Sequence, residues 1–207
     1  LFSSLIKKAK RSLIYEEFYI DQLKVFARRI ARDDFRAPVY SGAKEELIPF
    51  FKLLPYIPTV DQITCISEIC QDFILGKPMM RLIQGDVGSG KTTVALAAAW
   101  VAIKNHGQVA FMCPTEALAI QHFETATALL SKEKIKIALL LGSTESKLKK
   151  KISSELKNGE ISLVIGTHCL IQTEVHFKQL DLAIVDEQHK FGVNQRLGLL
   201  KKTGGCH

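Results

Sequence analysis

Residues 85–92 read Gly85-Asp86-Val87-Gly88-Ser89-Gly90-Lys91-Thr92, a glycine-rich loop that satisfies the pattern G-x-x-x-x-G-K-[ST]. The loop lies between a predicted strand at Met80–Gln84 and a predicted helix at Lys91–Lys104. Glycines let the backbone wrap closely around phosphate, so that amide N–H groups point inward at a helix N-terminus, where an anion is favoured. A chance glycine-rich turn is the alternative, but strand, loop and helix occur together in the required order. The stretch therefore predicts a nucleotide-binding loop, in which Lys91 reaches the β- and γ-phosphates and Thr92 offers its hydroxyl to Mg²⁺.

A second signal is an apolar strand, Leu180–Val185, that ends in the acidic pair Asp186 and Glu187. Carboxylates at the carboxyl end of a strand suit a nucleotide-bound metal. We expect Asp186 to hold Mg²⁺, directly or through water, and Glu187 to polarise the attacking water as general base. An exposed acidic turn is the alternative, and the phosphate-binding loop elsewhere in the chain favours the catalytic interpretation.

Four further residues are candidates on weaker evidence. Thr115 and Thr167 follow predicted strands near helix starts, where a hydroxyl either binds a sugar-phosphate backbone or simply caps the helix, and the sequence leaves both open. Gln62, just before a helix, either reads an adenine edge through its amide or is an ordinary surface glutamine. His189 stands two residues after Glu187, where it could sense the nucleotide state; a lone histidine is more often structural, but the Asp-Glu-Gln-His run favours a functional role.

Outward from the loop, strands and helices alternate to the end of the chain. Near-continuous apolar strands separated by helices indicate an α/β fold with a parallel sheet covered on both faces. The predicted strands, besides Met80–Gln84, are Gln108–Cys113, Ile135–Leu141, Ile161–Gly166 and Leu180–Asp186, and the predicted helices are Asp61–Leu75, Lys91–Lys104, Glu116–Ser131 and about Thr144–Lys157.

The N-terminal part of the chain follows a different pattern. Ser12–Arg32 has no proline or glycine, and its apolar residues recur at helical spacing, which predicts one amphipathic helix. Its Arg28, Arg29 and Arg32 form either a solvated face, the commoner case, or a phosphate contact. Prolines and a glycine then break the periodicity up to residue 58. We therefore predict a helical linker at residues 1–58 and a nucleotide-binding domain at residues 59–207.

Composition narrows the class of protein. The 207 residues are 47% hydrophobic and 24% charged with a net charge of +7, which is typical of a folded domain and favours polyanionic partners. The five cysteines show no zinc-ligand spacing, so a metal or disulfide framework is not expected, and a reducing cytoplasm fits best. No apolar stretch reaches the ~20 residues needed to cross a bilayer. We therefore expect a soluble intracellular protein without a membrane partner.

Four motifs together resemble the RecG family of bacterial superfamily 2 ATP-dependent DNA helicases. They are Gln-Gly-Asp-Val-Gly-Ser-Gly-Lys-Thr at 84–92, Pro-Thr-Glu-Ala-Leu-Ala at 114–119, Gly-Thr-His-Cys-Leu-Ile at 166–171, and Asp-Glu-Gln-His-Lys-Phe-Gly-Val at 186–193 followed by Gln195-Arg196. The helix carrying Tyr15-Glu16-Glu17 also looks like the segment that joins the wedge domain of this family to its motor. The resemblance thus covers nearly the whole chain.

The resemblance implies a RecA-like motor domain that uses ATP and Mg²⁺. It implies regression of stalled replication forks and branch migration of Holliday junctions in recombination and repair, by a bacterial cytoplasmic protein that we expect to be monomeric. It assigns nucleotide binding to Gln62, Gly85, Asp86, Val87, Gly88, Ser89, Gly90, Lys91, Thr92 and Thr93. It assigns metal binding to Thr92 and Asp186, catalysis to Lys91 and Glu187, coupling to His189, and DNA-backbone contacts to the segments of Thr115 and Thr167.

The resemblance also implies what this chain would do alone. The family has a wedge domain before the motor and a second motor lobe, with an arginine finger, after it, so the chain is expected to be a piece of a longer protein that binds nucleotide without unwinding DNA. The transcription-repair coupling factor and PriA-like helicases are the alternative relatives; the former usually has Asp-Glu-Glu-Gln where this chain has Asp-Glu-Gln-His, so His189 argues for RecG. A P-loop kinase or transport ATPase is a third and weaker class.

Overall fold

A computed structural model describes residues 2–33, 36–192, 198–199, 202 and 205–207. The chain divides into two compact units, Leu1–Arg36 and Ala37–His207, and each is described by itself. The first unit consists of one helix, α1 (Phe2–Asp33), which confirms the predicted amphipathic helix and starts earlier than predicted. The side chains of Arg28, Arg29 and Arg32 lie outside the described part, so their predicted roles stay predictions. No helix in the described residues has the length and apolar character needed to cross a membrane.

The second unit is an α/β fold, as predicted. In the part of the chain that the structure describes, four parallel strands form one sheet in the order β2-β3-β1-β4. Two short 3-10 turns follow the last two strands, at His168–Ile171 and Gln188–Lys190. The elements are α2 (Leu47–Leu53), α3 (Val60–Leu75), α4 (Lys91–Lys104), β1 (Gln108–Met112), α5 (Glu116–Leu130), β2 (Ile137–Leu140), α6 (Ser146–Asn158), β3 (Leu163–Gly166) and β4 (Leu180–Val185).

Each face of the sheet has its own core, because strand side chains alternate between the two faces. Phe111 of β1 packs on one face, in a cluster with Trp100 of α4 and Phe73 of α3. Met112, the next residue, packs on the other face in a cluster with Leu156 of α6. Both faces are thus covered by helices, which explains why the strands are apolar almost throughout.

The predicted strand at Met80–Gln84 is wrong. These residues are assigned no strand, and Met80 and Leu82 are more than half exposed. The outer edge of β4 is instead bonded to His207, whose N–H donates to the Asp181 carbonyl and whose carbonyl accepts from Ala183, each at 2.8 Å. An apolar run becomes a strand only where a ladder partner exists. Among the described residues this segment has none.

The division between the units also differs from the predicted boundary after residue 58. Residues 37–58 pack on the sheet-bearing unit: the Ala37 and Tyr40 amides donate to carbonyls of α3 and its C-cap, and Trp100 Nε1 donates to the Glu46 carbonyl at 2.7 Å. The segment includes α2, although Pro49 lies in it. Proline is tolerated in a first helical turn, because N–H groups there have no partner within the helix. Proline content therefore does not mark the limit of this compact unit, and the predicted domain boundary after residue 58 stays a prediction.

Candidate functional site

The glycine-rich loop is a left-handed turn that opens α4. Gly88 and Gly90 have φ values of 83° and 82°, a conformation that side chains disfavour. Gly90 is also the N-cap of α4, and no side chain caps the helix start. The first N–H groups of α4 therefore remain available at the positive end of the helix, which is the arrangement that binds a phosphate.

Lys91 lies across the mouth of this loop. Its ammonium donates to the carbonyls of Gly85 at 2.7 Å and Asp86 at 2.8 Å. The Ser89 amide donates to the same Asp86 carbonyl at 3.2 Å, which closes the turn. Residues 85–89 are exposed, and Val87 is fully so. The loop thus presents a positive charge and a ring of backbone groups to solvent, and the predicted contact of Lys91 with phosphates stays a prediction.

Gln62 is brought to the loop by a capping box at the start of α3. Its Oε1 accepts from the Thr59 backbone N–H at 3.0 Å, and the Gln62 backbone N–H donates to Thr59 Oγ1 at 3.3 Å. Its Nε2 donates to the Ser89 carbonyl at 2.9 Å. The side chain therefore joins α3 to the phosphate-binding loop, and its predicted contact with adenine stays a prediction.

We expect Gly90→Ala to destabilise the chain more than Gly88→Ala does. Both glycines are left-handed, so each substitution costs roughly 1–2 kcal/mol of conformational energy. A Cβ at Gly90 would also overlap the amide nitrogen of Gln62, whereas a Cβ at Gly88 meets nothing within 4 Å. Urea unfolding of both variants without nucleotide measures the difference. Equal losses of unfolding free energy would show that the Gln62 contact is not in place.

Tyr56 is a candidate that sequence reasoning missed. Its hydroxyl hydrogen-bonds to the hydroxyl of Thr93, a predicted nucleotide-binding residue in the first turn of α4. It lines an open pocket of about 480 Å³ together with Phe51, Ile57 and Pro58, and Ile57 is 91% exposed. An aromatic residue between two prolines, just before the helix of Gln62, was the available signal.

Asp186 follows β4 directly and is held from two sides. Its Oδ1 accepts from the Glu187 amide at 3.0 Å, and its Oδ2 lies 3.0 Å from His122 Nε2. The hydrogen bond from His122 is the main cause of the lowered pKa of Asp186, and the charge of Lys91 adds to it. Asp186 is therefore ionised at neutral pH and lies within the electrostatic reach of the phosphate-binding loop.

Glu187 and His189 come together in the turn after Asp186. The backbone of Glu187 is left-handed, with φ 48° and ψ 52°. This conformation is uncommon for residues other than glycine and is often found at functional sites. The Glu187 carboxylate lies 3.4 Å from His189 Nδ1, and both side chains are partly exposed to solvent. Gln195 and Arg196, the last residues of this motif, lie outside the described residues.

The two predicted DNA-contacting threonines differ in exposure and contacts. Thr115 caps α5, and its hydroxyl accepts from the Leu118 amide at 3.3 Å. Thr167 is only 3% exposed, and its hydroxyl points to Cys169 Sγ at 3.6 Å. Its burial argues against the predicted contact between this hydroxyl and DNA. The neighbouring His168 is the exposed side chain of that motif.

Glu116, the first residue of α5, ties the loop of Thr115 to the loop after β2. Its carboxylate accepts from the Ser143 hydroxyl at 2.8 Å and from the Ser143 amide at 3.0 Å. These hydrogen bonds lower the pKa of Glu116. Lys149 of α6 adds a bond to the Gly142 carbonyl at 2.7 Å. Two loops at the carboxyl ends of β1 and β2, which β3 separates in the sheet, thus form one connected polar surface.

Comparison with known proteins gives a consistent result. A family model described as DEAD/DEAH box helicase matches residues 59–204. The curated proteins named ATP-dependent DNA helicase RecG include relatives from Thermotoga maritima, 46% identical over 95% of this chain, and Bacillus subtilis, 44% identical over 95%. The chain spans 25% and 29% of the length of those two proteins. These relatives confirm the predicted resemblance to RecG over the alternative relatives.

Solved structures agree on the fold. A structure of RecG bound to a three-way DNA junction is similar with a TM-score of 0.79 and 46% identity, over 86% of this chain and 24% of that one. The UvsW helicase of bacteriophage T4 has a TM-score of 0.60 at 16% identity, over 90% of this chain and 67% of that one, which is a likeness of fold alone. The predicted RecA-like architecture is therefore confirmed.

Proposed function

We propose that this chain, which belongs to the DEAD/DEAH box helicase family, is the ATP-binding lobe of a RecG-type motor that uses ATP hydrolysis to remodel branched DNA. In the whole protein this activity regresses stalled forks and migrates Holliday junctions in the bacterial cytoplasm. The observation that carries the proposal is contact between the elements that bear the two motifs: α4, which begins with Lys91 after the phosphate-binding loop, packs against β4, and Asp186 follows β4 directly. Together they provide a cation for phosphates beside an ionised carboxylate for a metal.

The donor set fits Mg²⁺. Thr92 offers a hydroxyl in the first turn of α4, and Asp186 offers a carboxylate that its surroundings keep ionised. Mg²⁺ prefers oxygen ligands and is usually held by one or two side chains together with substrate phosphates. A bound Mg²⁺ would neutralise charge that develops on the phosphates during transfer. Thr92 and Asp186 would hold it, with Lys91 as the protein's own cation at the same site.

The remaining residues around the nucleotide would each have a separate role. The N–H groups of Gly88, Gly90, Lys91 and Thr92 would bind the phosphates, and Tyr56 with its pocket would receive the base beside Gln62. Glu187 would orient and polarise the attacking water, because its carboxylate is exposed next to Asp186. His189, paired with Glu187, would link this step to a neighbouring part of the full-length protein.

Branched DNA is the proposed partner. The related RecG structure is bound to a three-way junction, and the net charge of +7 in this chain favours a polyanion. The proposed contact surface contains the N-terminus of α5 at Thr115, the connected loop of Ser143 and the exposed His168. Backbone N–H groups there would bind phosphates without reading base sequence. We propose that the full-length protein acts as a monomer.

For the 207-residue chain alone, we expect nucleotide binding without turnover. The resemblance assigns the arginine finger to a second motor lobe, and such a finger contributes roughly 10³–10⁵ in rate in related NTPases. Titration with a fluorescent ADP should show weak Mg²⁺-dependent binding that Lys91→Ala removes. Phosphate release should stay at background with or without branched DNA.

Robust DNA-stimulated hydrolysis by this chain would contradict the expectation of an incomplete active site. Nucleotide binding that Lys91→Ala leaves unchanged would contradict the proposed function itself. Lys104→Ala is the matched control, since it removes the same charge from the opposite end of the same helix.

A further inference from the structure

His122 is a buried polar side chain that the sequence motifs do not single out. It lies in the second turn of α5 and is 8% exposed. Its ring stacks on Phe111 of β1, with ring centroids 4.9 Å apart and an interplanar angle of 23°. Packing between a helix and a central strand therefore fixes the orientation of the ring.

That orientation directs Nε2 at the metal-binding carboxylate. Nε2 lies 3.0 Å from Asp186 Oδ2. An ionised carboxylate only accepts hydrogen bonds, so Nε2 is the donor in this contact. The other oxygen, Oδ1, accepts from the Glu187 amide. Each carboxylate oxygen of Asp186 thus accepts a hydrogen bond from the protein. The His122 ring on α5 and the Glu187 amide in the turn after β4 together fix the plane of the carboxylate.

The backbone hydrogen bond of Asp186 fixes its main chain, whereas the contacts to Oδ1 and Oδ2 set the rotation of its side chain. Its amide donates to the Met112 carbonyl at 2.9 Å, which ends the pairing of β4 with β1. The Glu187 bond comes from the adjacent residue in the same turn. The hydrogen bond from His122 to Asp186 Oδ2, in contrast, comes from a different element of the fold, helix α5. It comes from the helix that begins at the proposed DNA-contacting loop of Thr115.

We propose that His122 is a positioning residue that holds the Asp186 carboxylate in the orientation required to bind Mg²⁺. The inference rests on the proposed role of Asp186 as a metal ligand. His122 touches neither metal nor nucleotide and acts through Asp186. Hydrogen bonds to metal ligands of this kind typically change metal affinity by about 10–100-fold when removed.

Two substitutions separate the donor from the packing. His122→Phe keeps an aromatic ring against Phe111 and removes the donor. His122→Gln gives up the ring but can place an amide N–H near the position of Nε2. If His122 positions Asp186, the phenylalanine variant loses Mg²⁺ affinity and the glutamine variant recovers it. If His122 only fills space, the pattern is reversed.

The experiment is a Mg²⁺ titration of fluorescent ADP binding to the 207-residue chain. Relative to the unaltered chain, His122→Phe should raise the Mg²⁺ concentration for half-maximal tightening by about 10–100-fold, with nucleotide affinity in the absence of Mg²⁺ unchanged. His122→Gln should lie close to the unaltered chain. No shift in His122→Phe, or equal shifts in the two variants, would overturn the proposal.

Asp186→Asn distinguishes failure of this inference from failure of the proposed function. If Asp186→Asn loses Mg²⁺ dependence and His122→Phe does not, only the positioning role is overturned. If Asp186→Asn keeps Mg²⁺ dependence, the metal assignment falls and the positioning role falls with it. A second measurement needs no variant at His122: the ¹⁵N resonance of its Nε2 should shift when Asp186 is replaced by asparagine. An unchanged resonance would show that the contact is absent and would overturn the proposal.

Discussion

Lys91→Ala in the full-length protein should abolish ATP-driven fork regression and leave junction binding largely intact. Lys91 supplies the side-chain cation that spans the phosphate-binding loop, through its bonds to the Gly85 and Asp86 carbonyls. Alanine removes the charge that would face the β- and γ-phosphates and that also reaches Asp186. Both the binding of ATP and the stabilisation of transferred charge are therefore lost together.

The fold should survive this substitution. Lys91 begins α4 and is not part of either hydrophobic core, and alanine has a high helix propensity. Junction binding depends on other surfaces of the full-length protein, so it should persist. A labelled fork measures regression, and a gel-shift titration measures binding to the same junction.

Lys104→Ala provides the control for charge and helix position. Lys104 lies at the last turn of α4, where it pairs with Glu133 at 2.8 Å and lies over the Trp100 ring. Its loss should lower stability slightly and leave regression at the normal rate. A Lys91→Ala protein that regressed forks normally would contradict the assignment of the loop. Loss of junction binding in that variant would show that Lys91 has a wider structural role.

The parts of the fold that the sequence predicted best are those with a local cause. Helix α4 was predicted with its observed bounds, because the glycine turn fixes its start and His106 and Gly107 follow its end. The four strands of the described residues were predicted correctly because their apolar runs reflect burial on both faces. The carboxylates Asp186 and Glu187 were identified as candidate site residues because they come directly after one such strand.

The parts that the sequence did not predict depend on contacts between distant residues. Met80–Gln84 has the composition of a strand, but strand formation depends on a ladder partner, and His207 occupies the neighbouring edge of β4. Tyr56 and His122 are single residues in no motif. Their roles arise from the hydroxyl of Thr93 and the carboxylate of Asp186, which are distant in sequence.

Thr167 shows that a role assigned to a residue from its motif can disagree with the burial of its side chain. Its position after β3 suggested a backbone contact with DNA, but the strand is central and the threonine turns inward toward Cys169. A motif assigns a role to a segment, whereas burial decides which of its atoms can perform that role. His168, one residue later, is the exposed side chain.

The second large effect is expected from Glu187→Gln, which should separate nucleotide binding from hydrolysis. The substitution keeps the size of the side chain and removes its ability to accept a proton. In the full-length protein, DNA-stimulated hydrolysis should fall by about 10²–10⁴, the usual contribution of a general base. Nucleotide affinity should change little, because the Glu187 carboxylate pairs with His189 and not with the phosphate-binding loop.

The geometry of Asp186 should be preserved in this variant. The bond between Glu187 and Asp186 comes from the Glu187 backbone amide, which the substitution leaves in place, and His122 still holds the other oxygen. Phosphate release and fluorescent ADP binding, measured on the same preparation, test the separation. Glu124→Gln, at an exposed position of α5, makes the same charge change as a control. Normal hydrolysis in Glu187→Gln would assign water activation to another group. An equal loss of binding and hydrolysis would instead mean that Glu187 maintains the site, since a general base contributes only to the chemical step.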